Sequence, residues 1–238
     1  MPKFFTEKKN IFDDYLLIDG EDVAHISKVL RMKCGDVITV CDGDGTDFEV
    51  SVCEISKDYV KCEIISSCKS ISEPSVYITL YQSLPKQGKM ETIIQKNTEL
   101  GVSEFVPVYT KRCVVKPSDK TARWQKVAES AAKQSGRGII PIVRDVISFD
   151  AAIKEMADFE TKVILYEGEK DTKIKDVVTK GCKKIAVLVG PEGGFEQDEV
   201  NKATELGISS VTLGTRILRT ETAAAAVTPV ILFIQGDV

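Results

Sequence analysis

Histidine is almost missing from this chain: His25 is the single one in 238 residues. That leaves little room for a Ser-His-Asp triad and none for a metal centre built from several histidines. No run approaches the roughly eighteen apolar residues that a membrane helix needs. The start, Met1-Pro2-Lys3-Phe4-Phe5-Thr6-Glu7, turns polar at once and does not read as a secretory signal. No Cys-x-x-Cys spacing occurs among Cys34, Cys41, Cys53, Cys62, Cys68, Cys113 and Cys182. An odd set without that spacing argues against a zinc site and a disulfide framework, and for reduced thiols in a cytoplasmic protein. No GxxxxGK[ST] is present and no GxGxxG follows a strand, so P-loop and dinucleotide-binding readings fail. Asp42, Asp44, Asp47 and Glu49 have calcium-loop spacing, but Asp47 stands where that loop needs glycine, so a hairpin turn is expected.

What is present is an ordinary globular composition, 43% apolar and 29% charged, long enough for two unequal domains. The net charge of −4 is unevenly spread. Residues 1–79 carry −6, residues 80–145 carry +6, and residues 146–238 carry −4. A basic middle between acidic flanks is compatible with a localised phosphate-binding face, and equally with a solvated surface.

Residues 1–70 read as mainly β. Val37–Val40, Phe48–Val52 and Tyr59–Ile65 have strand character, and Val23, Ile26, Val29 and Leu30 suit one short helix. This pattern predicts a small β-barrel with a helical insertion. Residues 66–75, rich in serine, read as a linker. From Val76 the rhythm changes. Strands are expected at 76–80, 105–109, 163–166, 185–189 and 211–213, and helices at 89–100, 122–134, 197–206 and 222–234, with a bend near Pro229. Such alternation predicts an α/β domain with a mostly parallel sheet and helices on both faces.

Two segments stand out. Leu188-Val189 ends a buried strand and runs into Gly190-Pro191-Glu192-Gly193-Gly194. Leu213 is followed by Gly214-Thr215-Arg216-Ile217-Leu218-Arg219-Thr220-Glu221-Thr222-Ala223, where Thr220 or Glu221 is expected to cap the last helix. Glycine at a strand's carboxyl end lets backbone approach a ligand closely, so the paired loops predict a pocket at the sheet edge. Each loop alone would pass for a structural turn, and Glu192 argues against a polyphosphate ligand.

These two segments resemble the signatures of the knotted SPOUT methyltransferases, and most of all the bacterial 16S rRNA (uridine-N3) methyltransferase family. The resemblance extends to Gln95-Lys96-x-x-Glu99-Leu100-Gly101, Lys111-Arg112-Cys113, Gln134-x-x-Arg137 and His25-x-x-x-Val29-Leu30-Arg31-Met32, and so spans nearly the whole chain. It implies a PUA-like β-barrel over 1–70, a SPOUT domain over 71–238 with a C-terminal trefoil knot, and a homodimer. It also implies S-adenosylmethionine as cofactor, 16S rRNA of the small ribosomal subunit as partner and methylation at N3 of a uridine; no metal is expected, from the cysteine spacing and the single histidine. The expected cofactor contacts are Leu165, Leu188, Val189, Gly190, Pro191, Glu192, Gly194, Leu213, Gly214, Ile217, Leu218, Thr222 and Ala223. Arg219 or Arg112 is expected to stabilise charge on the uracil, and Glu192 or Glu221 to take a proton; Glu221 could equally be a helix cap and Arg219 its partner. RNA contacts are expected from Arg31, Lys96, Lys111, Arg112 and Arg137. Trp124, the single tryptophan, is expected in the core or an interface. Two other readings stand beside this one: the same enzyme class with a different RNA target, and an RNA-binding protein without catalysis.

Overall fold

The computed structural model describes residues 3–86 and 88–238. It consists of two compact units, one running to Glu73 and joined by Ala132–Ile140, the other made of Pro74–Ala131 and Pro141–Val238.

The first unit is a five-stranded sheet of β1 (Lys3–Phe5), β2 (Tyr15–Asp19), β3 (Val37–Cys41), β4 (Thr46–Ile55) and β5 (Tyr59–Lys69), in the order β1-β3-β4-β5-β2. Alternate side chains, among them Leu16, Ile18, Ile38, Val40, Val50, Val52 and Val60, point to one core shared with Phe4 and Ile26, as the two-residue period of a strand requires. At the β3–β4 turn the Asp42 carboxylate accepts from the backbone N–H of Asp44 and Thr46, so this acidic stretch is a hairpin turn. β5 runs to Lys69 because Ser66–Lys69 pair with Thr46–Glu49; the polar sequence expected as linker from residue 66 is a strand end.

The helix expected over Asp22–Leu30 is broken in character. α1 (Glu21–Ala24) continues into a π turn, His25–Val29, closed by Leu30 N–H donating to His25 O. The wider turn rotates the later side chains. Val23 and Ile26 are buried, while Val29 is 69% exposed rather than on the apolar face.

Arg137 also departs from expectation. It is 3% exposed and its guanidinium meets the Glu73 carboxylate at 2.6 Å. Glu73 further accepts from the backbone N–H of Gly138 and Ile139, and Gly138 O accepts from Gly45 N–H. Arg137, expected among the RNA contacts, is therefore a buried, ion-paired cation of the first unit.

The second unit is built on a wholly parallel sheet. Its strands are β6 (Tyr77–Ser83), β7 (Glu104–Tyr109), β8 (Ile142–Val143), β9 (Ile147–Ser148), β10 (Thr161–Leu165), β11 (Lys184–Val189) and β12 (Ser209–Val211). The order is β12-β10-β11-β6-β7-β8, with β9 also on β7. The helices are α2 (Lys89–Glu99), α3 (Thr121–Ser135, of which the part to Ala131 belongs to this unit), α4 (Phe149–Met156), α5 (Ile174–Val177), α6 (Gln197–Glu205) and α7 (Thr220–Gln235). Successive strand residues serve opposite faces. Ile185, Val187 and Val189 pack with Ile93, Trp124, Val227 and Ile231 of α2, α3 and α7. Ala186 and Leu188 pack with Phe149, Met156, Val200 and Ala203 of α4 and α6. Strands covered on both faces read as continuous apolar runs, which is why they were visible in the sequence. α7 is helical on both sides of Pro229, and Thr228 Oγ donates to Asn97 of α2 inside the core.

The sheet order places the site. β12 lies at an edge beside β10, yet α7 begins near β11 and β6, where Thr220 Oγ donates to Gly190 O at 2.7 Å and accepts from Gln82 at 2.9 Å. Residues 212–219 must therefore cross the carboxyl ends of β10 and β11.

Candidate active site

That crossing segment closes a cavity of about 380 Å³, lined by residues 165–167, 189–194, 211–220 and Ala223. The volume is that of a small-molecule site, roughly 300–1,000 Å³. Loops from the carboxyl ends of three neighbouring parallel strands meet in it, the usual ligand position of such sheets. Leu165, Val189, Val211, Leu213 and Leu218 supply apolar wall, and Glu167, Glu192 and Arg219 supply charge.

Gly194 turns the first loop back at φ +69, its N–H donating to Pro191 O. A side chain there would be strained, and its Cβ would lie 2.2 Å from the Glu167 carboxylate. The loop is held from behind by Arg112, which donates to Gly193 O at 2.7 Å and to Glu196 at 2.9 Å. Arg112 does not line the cavity, so the structure gives it a loop-holding place.

The mouth is organised by a lysine at the start of α2. Lys89 Nζ is 3.1 Å from Glu192 Oε1 and 3.1 Å from Glu221 Oε2. Glu192 also accepts from Lys86 N–H through both oxygens. Burial alone would raise the Glu192 carboxyl, but bonds from its own N–H, Lys89 and Lys86 outweigh it and hold it below the usual range. Glu221 is likewise lowered: burial opposes, while its own N–H, the Lys89 bond and charge, and the Arg219 charge prevail. Both carboxylates are thus ionised well into mild acid. Bonds to Glu221 and Glu192 raise Lys89 in turn.

Of the expected cofactor contacts, Leu165, Val189, Gly190, Pro191, Glu192, Gly194, Leu213, Gly214, Ile217, Leu218 and Ala223 line the cavity. Leu188 does not: it is buried in the opposite core, because neighbouring strand residues face opposite ways. Thr222 lies outside the lining too, one turn into α7. Ile217 stands at the rim, 88% exposed. Arg219 lines the cavity at the N-cap of α7, Glu221 does not, and neither expected cap is made, since the Thr220 hydroxyl is bonded to Gly190 O instead. Tyr166, Glu167 and Thr220 line the cavity without having been singled out for it; the strand-end Glu167-Gly168 was the available signal. Lys111 pairs with Asp198 and Lys96 with Glu99, while Arg31 is exposed at φ 53 in the first unit.

The cavity suits a molecule with a flat apolar part and a cationic part. Its backbone approaches closely at two loops, its walls are aliphatic, and the Glu167 and Glu192 carboxylates line it. S-adenosylmethionine has those features, and residues 189–194 and 213–218 would hold it. Among the described residues no cluster of His, Cys, Asp or Glu is placed to bind a metal ion, and no helix is long and apolar enough to cross a membrane.

The RNA methyltransferase domain family matches residues 72–232, and the RNA methyltransferase PUA domain matches residues 18–65. The ribosomal RNA small subunit methyltransferase E of Bacillus subtilis (strain 168) is 41% identical over 218 residues, covering 87% of this chain and 85% of that protein. The crystal structure of ribosomal RNA small subunit methyltransferase E from Neisseria gonorrhoeae bound to S-adenosyl methionine superimposes with a TM-score of 0.88 at 34% identity, covering 98% of each chain. A methyltransferase from Legionella pneumophila in complex with the bound cofactor SAM matches with a TM-score of 0.84 at 31% identity, over 97% of this chain and 96% of that one.

Proposed function

The chain belongs to the ribosomal RNA small subunit methyltransferase E family, and on that premise we propose that it methylates N3 of a uridine in 16S rRNA, using S-adenosylmethionine. The observation that carries this reading is the cavity itself: two glycine loops closed over parallel strand ends, with Glu192 inside and Arg219 at its entrance. When bound, the cofactor supplies an electrophilic methyl group on a sulfonium, so the protein needs no nucleophile of its own. The chain's residues orient, exclude water and place charge. Backbone of 190–194 and 213–218 fixes the cofactor. The uracil N3–H is a weak acid whose anion spreads onto two carbonyl oxygens. Arg219 offsets that charge, and Glu192, one of the two carboxylates that line the cavity, takes the proton. Glu221, outside the lining, acts through Lys89.

Crossing of 212–219 over β10 and β11 supports a trefoil knot in the second unit. The chain works as a homodimer in the cytoplasm: α7 presents Ala226, Val230 and Phe233 at helical spacing on one face, with Phe233 73% exposed. Calorimetry with S-adenosylmethionine and mass spectrometry of rRNA from a deletion strain test the reading. One 16S uridine is expected to lose one methyl group in that strain, and Arg219→Ala is expected to keep cofactor and RNA binding while losing turnover. An unmethylated substrate shared by deletion and parent strains, or full turnover in the variant, overturns it.

A further inference from the structure

The basic stretch 80–145 is mostly neutralised by the fold. Lys89, Lys96, Lys111, Arg112, Arg123, Lys133, Arg137 and Arg144 each meet a carboxylate. Among the described residues of that stretch, the cations without such a partner are Lys86, Lys116, Lys120 and Lys126. Three of these four, Lys86, Lys116 and Lys120, line one small concavity beside α2 and α3. Glu91, which also lines it, is already paired with Arg123 at 3.2 Å, so the concavity carries a net positive charge.

A second observation is independent of charge. Trp124 lines the same concavity and is buried, and its indole Nε has no hydrogen-bond acceptor within the chain. A buried donor without a partner is costly unless an acceptor comes from elsewhere. The place is also joined to the cofactor cavity: the backbone N–H of Lys86 donates to Glu192, which lines that cavity.

We infer that Lys86, Lys116 and Lys120 form a phosphate-binding site for the RNA strand, seating a phosphate group next to the nucleotide whose base enters the cavity. The inference rests on the methyltransferase reading and moves the RNA contact away from Lys111, Arg112 and Arg137. Three unpaired ammonium groups around a concavity attract a phosphate oxygen as point charges without reading sequence. The Trp124 N–H adds a neutral donor. A single-stranded RNA backbone supplies both the charge and the acceptors.

The test is the salt dependence of binding of a single-stranded oligoribonucleotide to the full-length protein. Each single-strand phosphate contact contributes about 0.7 to the slope of log K against log salt. The triple variant Lys86→Gln, Lys116→Gln, Lys120→Gln is expected to lower that slope by about 0.7, the contribution of one phosphate, and the affinity at low salt at least tenfold. S-adenosylmethionine affinity should stay at the parent value. Lys126→Gln, an exposed α3 lysine outside the concavity, is the matched control and should change the slope little. An unchanged slope in the triple variant overturns the site, and so does an equal fall in the Lys126→Gln control. If the slope falls as expected but the parent protein transfers no methyl group to RNA, the phosphate site stands and the reading of the reaction fails.

Discussion

Lys89 at the first turn of α2 and Glu221 at the first turn of α7 meet at 3.1 Å, and the same ammonium reaches Glu192 of the glycine loop at the same distance. One side chain therefore ties the last helix to the loop that forms the cavity wall. Glu221 sits where a carboxylate also favours the helix N-terminus.

Lys89→Met should leave two carboxylates facing each other without their shared cation. Both are held below the ordinary Glu value of about 4.3 in the parent. A lowered folded value means that their stabilising effect is complete above the ordinary value and is lost as pH falls through the lowered ones. In the variant the folded values rise, so the acid limb of both stability and methyl transfer should move to higher pH. Turnover should fall between tenfold and roughly 100-fold, the range expected when a positioning contact is lost. Thermal unfolding and rate profiles between pH 4 and 8 measure this; superimposable acid limbs would remove the role.

Gly194→Val should cost about 1–2 kcal/mol from the left-handed backbone alone, because φ there is +69. It should also push the Glu167 carboxylate from its place against the loop. Calorimetry is expected to show cofactor affinity reduced at least tenfold in a protein that still folds; parent-like affinity would put the cofactor elsewhere.

Arg137→Gln should act on stability and not on RNA. Removing one member of a buried ion pair costs about 3–5 kcal/mol, and Glu73 would keep its charge beside a 3% exposed site. Urea unfolding should show the loss, while the salt slope of RNA binding stays unchanged. A stable variant with a lowered slope would return Arg137 to the RNA face.

Phe233→Glu should shift the proposed homodimer toward monomer. The ring is exposed on α7, in line with Ala226 and Val230, and a charge cannot be buried there without a partner. Light scattering at micromolar concentration checks it, and a parent that is already monomeric would refute the dimer.

Much of the architecture could be read from residue order. The runs at 163–166 and 185–189 are apolar on every residue because both faces are covered, and the glycines after them mark the ends where backbone must come close. The short strands β1 and β2 and the helix α4 were missed. Lys3–Phe5 is too brief to show a period, and its pairing with β3 spans more than thirty residues of separation. The π turn at His25–Val29 was missed because its side-chain spacing resembles that of an α-helix until the turn widens.

The sequence by itself determined the two glycine loops, the parallel sheet that carries them and the family to which they point, since these depend on local backbone freedom and on side-chain periodicity. Only the tertiary structure decided which charges are available. Arg137 and Lys116 are equally basic as letters, yet one is spent on Glu73 and the other faces a concavity. Lys89, Glu192 and Glu221 lie up to 132 residues apart and meet because residues 212–219 cross the sheet. Such pairing depends on distance and solvent exposure after folding, which no local pattern encodes.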